Sequence, residues 1–126
     1  MTDLQSLPSP RLCYLEIPAT DPHRSADFYE KVFGWNIRHR DSNRPSFDDP
    51  SGVSGAFVTY LKPAQEPGIL PSIWVKGIEA FVAKVVAHGG EIVEAPRPDE
   101  PGSVCLIATF RDPAGNQLRI YEEPGN

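Results

Sequence analysis

Asp49-Pro50-Ser51-Gly52 returns sixty-three residues later as Asp112-Pro113-Ala114-Gly115, and each copy leads into a short apolar stretch. Proline after Asp presets φ at the first turn position, the Asp carboxylate bonds back to the turn backbone, and glycine accepts the strained exit angle. A tight reversal between two antiparallel strands is the reading for each. Two copies in matching surroundings mean that the chain is one unit used twice.

Working outward from the turns gives each half the order β-α-β-β-β. In the first half, strands are expected at about 12–17, 35–38, near Phe47 and at 55–61. A helix after Thr20 or Asp21 carries the stripe Ala26, Phe28, Tyr29, Val32 and Phe33 and stops at Gly34. In the second half, strands are expected at 72–75, 91–94, 104–110 and 117–121, with a helix at about 78–88 ended by Gly89-Gly90. The Pro- and Gly-containing stretch KPAQEPG (62–68) joins the halves. The segments 38–50 and 95–103 read as long loops that close a cavity mouth, form inert surface or make a dimer edge. Asp27 and Lys31 are spaced for a weak ion pair on the outer helix face.

A chain of 126 residues fits one compact α+β domain. The expected division is a flexible tail at 1–10 and a single domain at 11–126, with modules at about 11–61 and 70–122 around a linker at 62–69. A net charge of −5 and a pI near 5.1 argue against nucleic-acid and anionic-membrane surfaces. No apolar run reaches membrane-spanning length, and the start lacks a signal-peptide pattern, so a cytoplasmic location is the expectation. Cys13 and Cys105 lie in apolar strand-like runs, which predicts buried, reduced thiols.

One helix per half covers one sheet face and leaves the other to be buried elsewhere or to line a hollow. Strand alternation assigns Cys13, Leu15, Ile17, Ile73, Val75, Leu118 and Ile120 to the helix side. It leaves Tyr14, Glu16, Ser72, Trp74, Arg119 and Tyr121 for the hollow. There Arg119 can clamp a carboxylate or phosphate, Trp74 can stack on a ring, and Tyr14 and Tyr121 can hydrogen-bond an edge. Equally, Glu16 and Arg119 can simply pair with each other. Phe57 is a candidate lining residue, with core packing as its alternative, and the same holds for Phe110.

The stretches EIPATDPHRSADFYEKVFGW (16–35), VKGIEAFVAKVVAHGGEIV (75–93) and FRDPAGNQLRIYE (110–122) resemble the vicinal oxygen chelate superfamily. That group includes glyoxalase I, bleomycin-resistance proteins and extradiol dioxygenases. The resemblance spans about 12–122. It implies two tandem βαβββ modules forming an open, curled mixed sheet around a ligand site, often in homodimers.

Metal-dependent relatives take ligands from equivalent positions in four strands. Here those positions fall at Tyr14, at Leu70 or Ser72, at Arg119 and at Ala56. This set lacks the imidazole, carboxylate or thiolate donors of a divalent site, and Arg119 repels a cation, so neither metal nor other cofactor is expected. His23, His39 and His88 lack the i,i+4 spacing of a helical metal pair and read as solvated or capping residues. Neither cysteine has a sequence neighbour to activate it.

Three functions remain. The leading one is a metal-free glyoxalase/bleomycin-resistance-like protein that binds a small organic molecule through Tyr14, Phe57, Trp74, Arg119 and Tyr121. The second is a lyase, isomerase or dioxygenase-like enzyme with Glu16 as general base and Arg119 as electrostatic stabiliser. The third is a ligand-free interaction subunit.

Overall fold

Residues 6–124 are described by the computed structural model. The order is β1 (Tyr14–Pro18), α1 (Pro22–Phe33), β2 (Asn36–Arg38), β3 (Ser46–Asp48), β4 (Ser54–Val58), β5 (Ser72–Trp74), α2 (Ile78–Ala87), β6 (Glu91–Pro98), β7 (Leu106–Arg111) and β8 (Gln117–Glu122). Each half is the expected βαβββ module. Its strands form their own sheet, in the orders β1-β4-β3-β2 and β5-β8-β7-β6. In both sheets the first strand runs parallel to the last, and the other pairs are antiparallel. The two mixed sheets do not close into a barrel.

The repeated turns have the same internal bonds. Asp49 Oδ1 accepts from the amides of Ser51 (2.8 Å) and Val53 (2.9 Å), as Asp112 Oδ1 does from Ala114 (3.0 Å) and Asn116 (2.9 Å). The Asp49 amide donates to Val53 O and that of Asp112 to Asn116 O, each at 2.9 Å.

Helix α1 begins where the Asp21 carboxylate accepts from the Arg24 amide, with Pro22 in the first turn. It ends at Gly34, whose φ of +71° suits glycine. Helix α2 has no side-chain cap of its own. The Glu122 carboxylate on β8 accepts from the Gly77 and Ile78 amides at 2.8 and 3.2 Å, and these donors hold its pKa below the usual range.

Aromatic rings fill the space between helices and sheets. Tyr29, Trp35, Phe47 and Phe57 form a run with centroid spacings of 4.9, 4.7 and 5.3 Å. Phe33 stacks on Phe81 at 5.8 Å and joins the two helices. Gly55 lies under this layer, where a Cβ would meet the Leu15 carbonyl and the Phe47 ring.

One buried network ties the modules together. The Tyr29 hydroxyl on α1 donates to Asp112 Oδ2 at 2.8 Å. Asn116 Nδ2 donates to the same oxygen at 2.9 Å and to the Pro18 carbonyl at 2.6 Å, while its Oδ1 accepts from the Ala64 amide at 2.8 Å. Strand β1, the linker and the second turn therefore meet at the Asn116 amide, and α1 joins through Asp112.

Several expectations change. Strand β1 begins at Tyr14 and not at Leu12, leaving Cys13 exposed, and Cys105 is half-buried because β7 begins only at Leu106. Strand β4 ends at Val58 rather than Leu61. Strand β6 runs on through Pro98 into the expected loop. Register shifts at Ile92/Glu94 and Glu94/Arg97 accommodate Pro96 and Pro98 on an edge that needs no outward donor. Asp27 pairs at 2.6 Å with Arg40 instead of Lys31, because the β2–β3 loop folds back on α1. Of the expected tail, residues 1–5 lie outside the described residues. Arg11 bonds the carbonyls of Ser51 and Gly52. Among the described residues no helix is long and apolar enough to cross a membrane.

Candidate functional site

The sheet faces turned away from the helices carry most of the predicted site residues, in two separate groups. On the first sheet, Arg44 from the β2–β3 loop reaches over β1. Its Nη2 donates to the Tyr14 hydroxyl (3.3 Å) and to Glu16 Oε2 (3.1 Å), and the Tyr60 hydroxyl donates to the same carboxylate oxygen. The Tyr60 bond first of all draws the Glu16 pKa below its usual value; desolvation opposes it, and the Arg44 bond and charge add to the lowering. Tyr60 is pushed up by the same bond, so it keeps its proton. Alongside, Asp48 accepts from Arg38 Nε (2.7 Å) and Ser54 (2.7 Å), and its pKa falls to about 2, chiefly through Arg38.

On the second sheet, parallel pairing sets Ser72 beside Arg119 and Trp74 beside Tyr121. Arg119 Nε donates to Thr109 Oγ1 at 3.3 Å, and Nη2 lies 3.7 Å from Glu94. Thr109 in turn donates to Glu94 at 2.8 Å. The Tyr121 pKa is pushed up to about 12, first by its hydrogen bond with the Cys105 thiol and then by burial. Trp74 is 53 % exposed, with Lys76 Nζ 5.8 Å from its ring centre.

The alternative in which Glu16 pairs with Arg119 gives way to two pairings, one on each sheet, because loop 39–45 and strand β6 bring nearer partners. Phe57 leaves the candidate set. It is fully buried on the helix side, 5.5 Å from Tyr29 and 5.3 Å from Phe47, since its place in β4 is in register with Ile17 rather than Glu16. Tyr60 was accessible to sequence reasoning, because it extends the alternation of Ala56 and Val58. Arg44 carried no local signal in its polar loop, and Glu94 was hidden by the irregular register of β6.

Strands β1 and β5 are edge strands of their sheets, and residues of both line a common crevice, a seam between the modules. Parallel ladders use alternate residues, and the flanking bonds Ser54 N to Cys13 O and Arg119 N to Pro71 O fix which ones. The backbone groups of Tyr14, Glu16, Ser72 and Trp74 point away from their own sheets. The seam holds a crevice of about 550 Å³ lined by Leu12, Tyr14, Leu15, Ile69, Ile73 and Leu118. A second of about 550 Å³ is walled by Phe33, Trp35, Phe81, Val75, Trp74 and Lys76. A smaller one of about 240 Å³ lies by Glu16 and Asn116.

The residues do not fit a divalent metal. Register corrects one of the four expected positions: Ala56 lies beside Glu16, and not beside Tyr14, as Arg119 lies beside Ser72, so the equivalent strand positions offer one carboxylate already bonded to Arg44, a methyl, a hydroxyl and a cation. Among the described residues no three His, Cys, Asp or Glu side chains come together. No chemical step is assigned to a metal here.

A model of the glyoxalase-like domain matches residues 14–121. A glyoxylase-like domain-containing protein of Didymella fabae is 28 % identical over 119 residues, which cover 88 % of this chain and 92 % of that protein. Two crystal structures share the fold at 20 % identity. One is a glyoxalase/bleomycin resistance protein/dioxygenase family enzyme from Burkholderia phytofirmans PsJN (TM-score 0.72, covering 89 % of this chain and 98 % of that one). The other is a glyoxalase-related enzyme from Fulvimarina pelagi (TM-score 0.73, 91 % and 89 %).

Proposed function

We propose that this chain, which belongs to the glyoxalase-like domain family, binds a small organic molecule at the seam between its modules without using a metal. The observation that carries the reading is the crevice of about 550 Å³ between β1 and β5, a volume suited to a small ligand and walled mainly by aliphatic side chains. Tyr14 stands at its rim and Trp74 at that of the adjoining crevice, each about half exposed, so both rings can cover a ligand. Arg119 and Tyr121 flank Ser72 and Trp74 in register and supply polar contacts to any part of the ligand that extends over the second sheet. The donor set at the equivalent strand positions supports the metal-free part of the reading.

A catalytic role for Glu16 with Arg119 is the weaker reading. The Glu16 carboxylate is held by Tyr60 and Arg44, which lowers its basicity, and Arg119 is engaged by Thr109 and Glu94.

A thermal-shift screen tests the reading, since a ligand that binds the native state raises stability as ln(1 + [L]/Kd). Saturable stabilisation by apolar or aromatic metabolites, reduced by Tyr14→Ala, is expected. Stabilisation by Zn²⁺, Ni²⁺ or Fe²⁺ with no organic ligand would overturn it, and no stabilisation by any compound would favour an interaction subunit.

A further inference from the structure

The two larger crevices are consecutive stretches of one groove. The first is lined by residues 69–73 and the second by residues 72–76, and both are lined by Trp35, Asp49, Val53, Ser72 and Ile73. Residues 69–76 are consecutive along the extended chain that includes β5, so the crevices lie end to end beside its unpaired edge. At the rise of an extended chain these residues span about 23 Å. A compact molecule occupies one end of such a groove, whereas a long one is in contact throughout.

The groove is polar in few places. Asp49 sits midway, but its Oδ1 accepts from the Ser51 and Val53 amides and both its oxygens accept from Ser51 Oγ at 2.9 Å. Lys76 stands at the far end and is exposed. Among the described residues it is in no ion pair, and its ammonium stands 5.8 Å from the centre of the Trp74 ring. An apolar floor of Phe33, Trp35, Ile73, Val75 and Phe81 ending at an unpaired ammonium is complementary to an apolar chain ending in an anion.

We infer that the ligand is an elongated, mainly apolar molecule with one acidic end, laid along β5 with its acid at Lys76. This rests on the seam being the ligand site, and it adds shape, polarity and direction to that reading.

Straight-chain carboxylates from hexanoate to tetradecanoate are the probes, below their aggregation limits. Both tryptophans of the chain, Trp35 and Trp74, line the groove, so their emission reports occupancy, with calorimetry supplying affinities. Each added methylene should tighten binding about fourfold until the groove is full. Methyl esters should bind more weakly than the acids, and Lys76→Gln should remove that difference while leaving ester affinity in place. Ser72→Trp, at an exposed position bordering both crevices, should abolish the gain from chain length while far-UV circular dichroism stays native.

Saturable binding of compact aromatics with no chain-length dependence would overturn this inference and leave the proposed function standing. Equal tightening in the Ser72→Trp variant would mean adsorption elsewhere and would overturn it too. Tightening with length but no acid preference would refute the assignment of Lys76. Failure of every probe and every screened compound to bind would remove both readings together.

Discussion

Replacing Asn116 with alanine should destabilise the protein far more than the loss of one small polar side chain suggests. Asn116 is 3 % exposed and its side-chain amide makes three hydrogen bonds, one to the first module, one to the linker and one within its own turn: to Pro18 O at 2.6 Å, from Ala64 N at 2.8 Å and to Asp112 Oδ2 at 2.9 Å. Alanine strands a carbonyl and an amide. A buried group left without a partner costs about 1–3 kcal/mol, and water can reach these partly buried ones, so the expected loss is about 3 kcal/mol in total. Urea titration should show a lower midpoint at unchanged slope, because the surface exposed on unfolding is the same.

The repeat supplies an internal control. Val53 occupies the equivalent place in the first turn and makes no side-chain hydrogen bond, so Val53→Ala should cost only about 1 kcal/mol. Tyr29→Phe removes the other donor to Asp112 Oδ2 and should cost about 1–2 kcal/mol. Because Tyr29 and Asn116 share that oxygen, the double variant should depart from additivity by about 1 kcal/mol. Burial raises the Asp112 pKa against the opposing pull of Asn116 and Tyr29, so removing either donor should raise it further. A raised native pKa means that the folded state holds the proton more tightly, and this residue's contribution therefore declines as pH rises through its titration. Both single variants should lose more stability at neutral pH than in acid. A loss below about 0.5 kcal/mol in Asn116→Ala, or one equal to that in Val53→Ala, would refute the assignment of this network as the tie between modules.

Asp48 has its native pKa lowered to about 2 from an ordinary 3.8, so the unfolded chain takes up the proton first. Its contribution is complete above that range and is lost as pH falls toward 2; acid titration of Arg38→Met should show a shallower loss than wild type. Tyr60→Phe should raise the Glu16 titration seen by carboxyl NMR, and an unmoved titration would mean that the phenol does not hold this carboxylate. Phe57→Ala should cost about 3–5 kcal/mol in denaturant with no direct effect on ligand contacts, as befits a ring with no exposed surface.

The architecture was legible because it is written twice. The two Asp-Pro turns, the stripe on α1 and the alternation in β1 and β8 each point to one periodicity, and all of them recur in the structure at or near the expected residues. The boundaries that moved did so for tertiary reasons. Pro96 and Pro98 signal a loop locally, yet β6 is an edge strand whose outer side needs no donor, so pairing with β7 continues past them.

The candidate site was legible in its faces and not in its pairings. Alternation placed Tyr14, Glu16, Trp74, Arg119 and Tyr121 away from the helices, but it carries no information about which loop will fold over them. Arg44 is twenty-eight residues from Glu16 in sequence, and Glu94 is twenty-five from Arg119. Phe57 failed as a lining residue through register. The parallel pairing places it beside Ile17, on the face where the aromatic layer already needed a ring.

The repeat also shows why a crevice exists where it does. At the second turn, Asn116, Tyr29 and the linker at Ala64 close the contact with β1, and only about 240 Å³ remains there. At the first turn, Val53 replaces the amide and no phenol reaches Asp49, so turn and strand β5 stand apart around about 550 Å³. Identical turn chemistry thus gives one sealed and one open junction, and the difference resides in residues outside the turn. A buried polar network resists rearrangement because each stranded partner costs free energy, whereas an apolar gap admits any chain that fills it. The sealed junction is consequently suited to holding the modules in register, and the open one is where the proposed ligand would enter. Stability and binding should then be separable by mutation, the first sensitive to Asn116 and the second to the edge of β5.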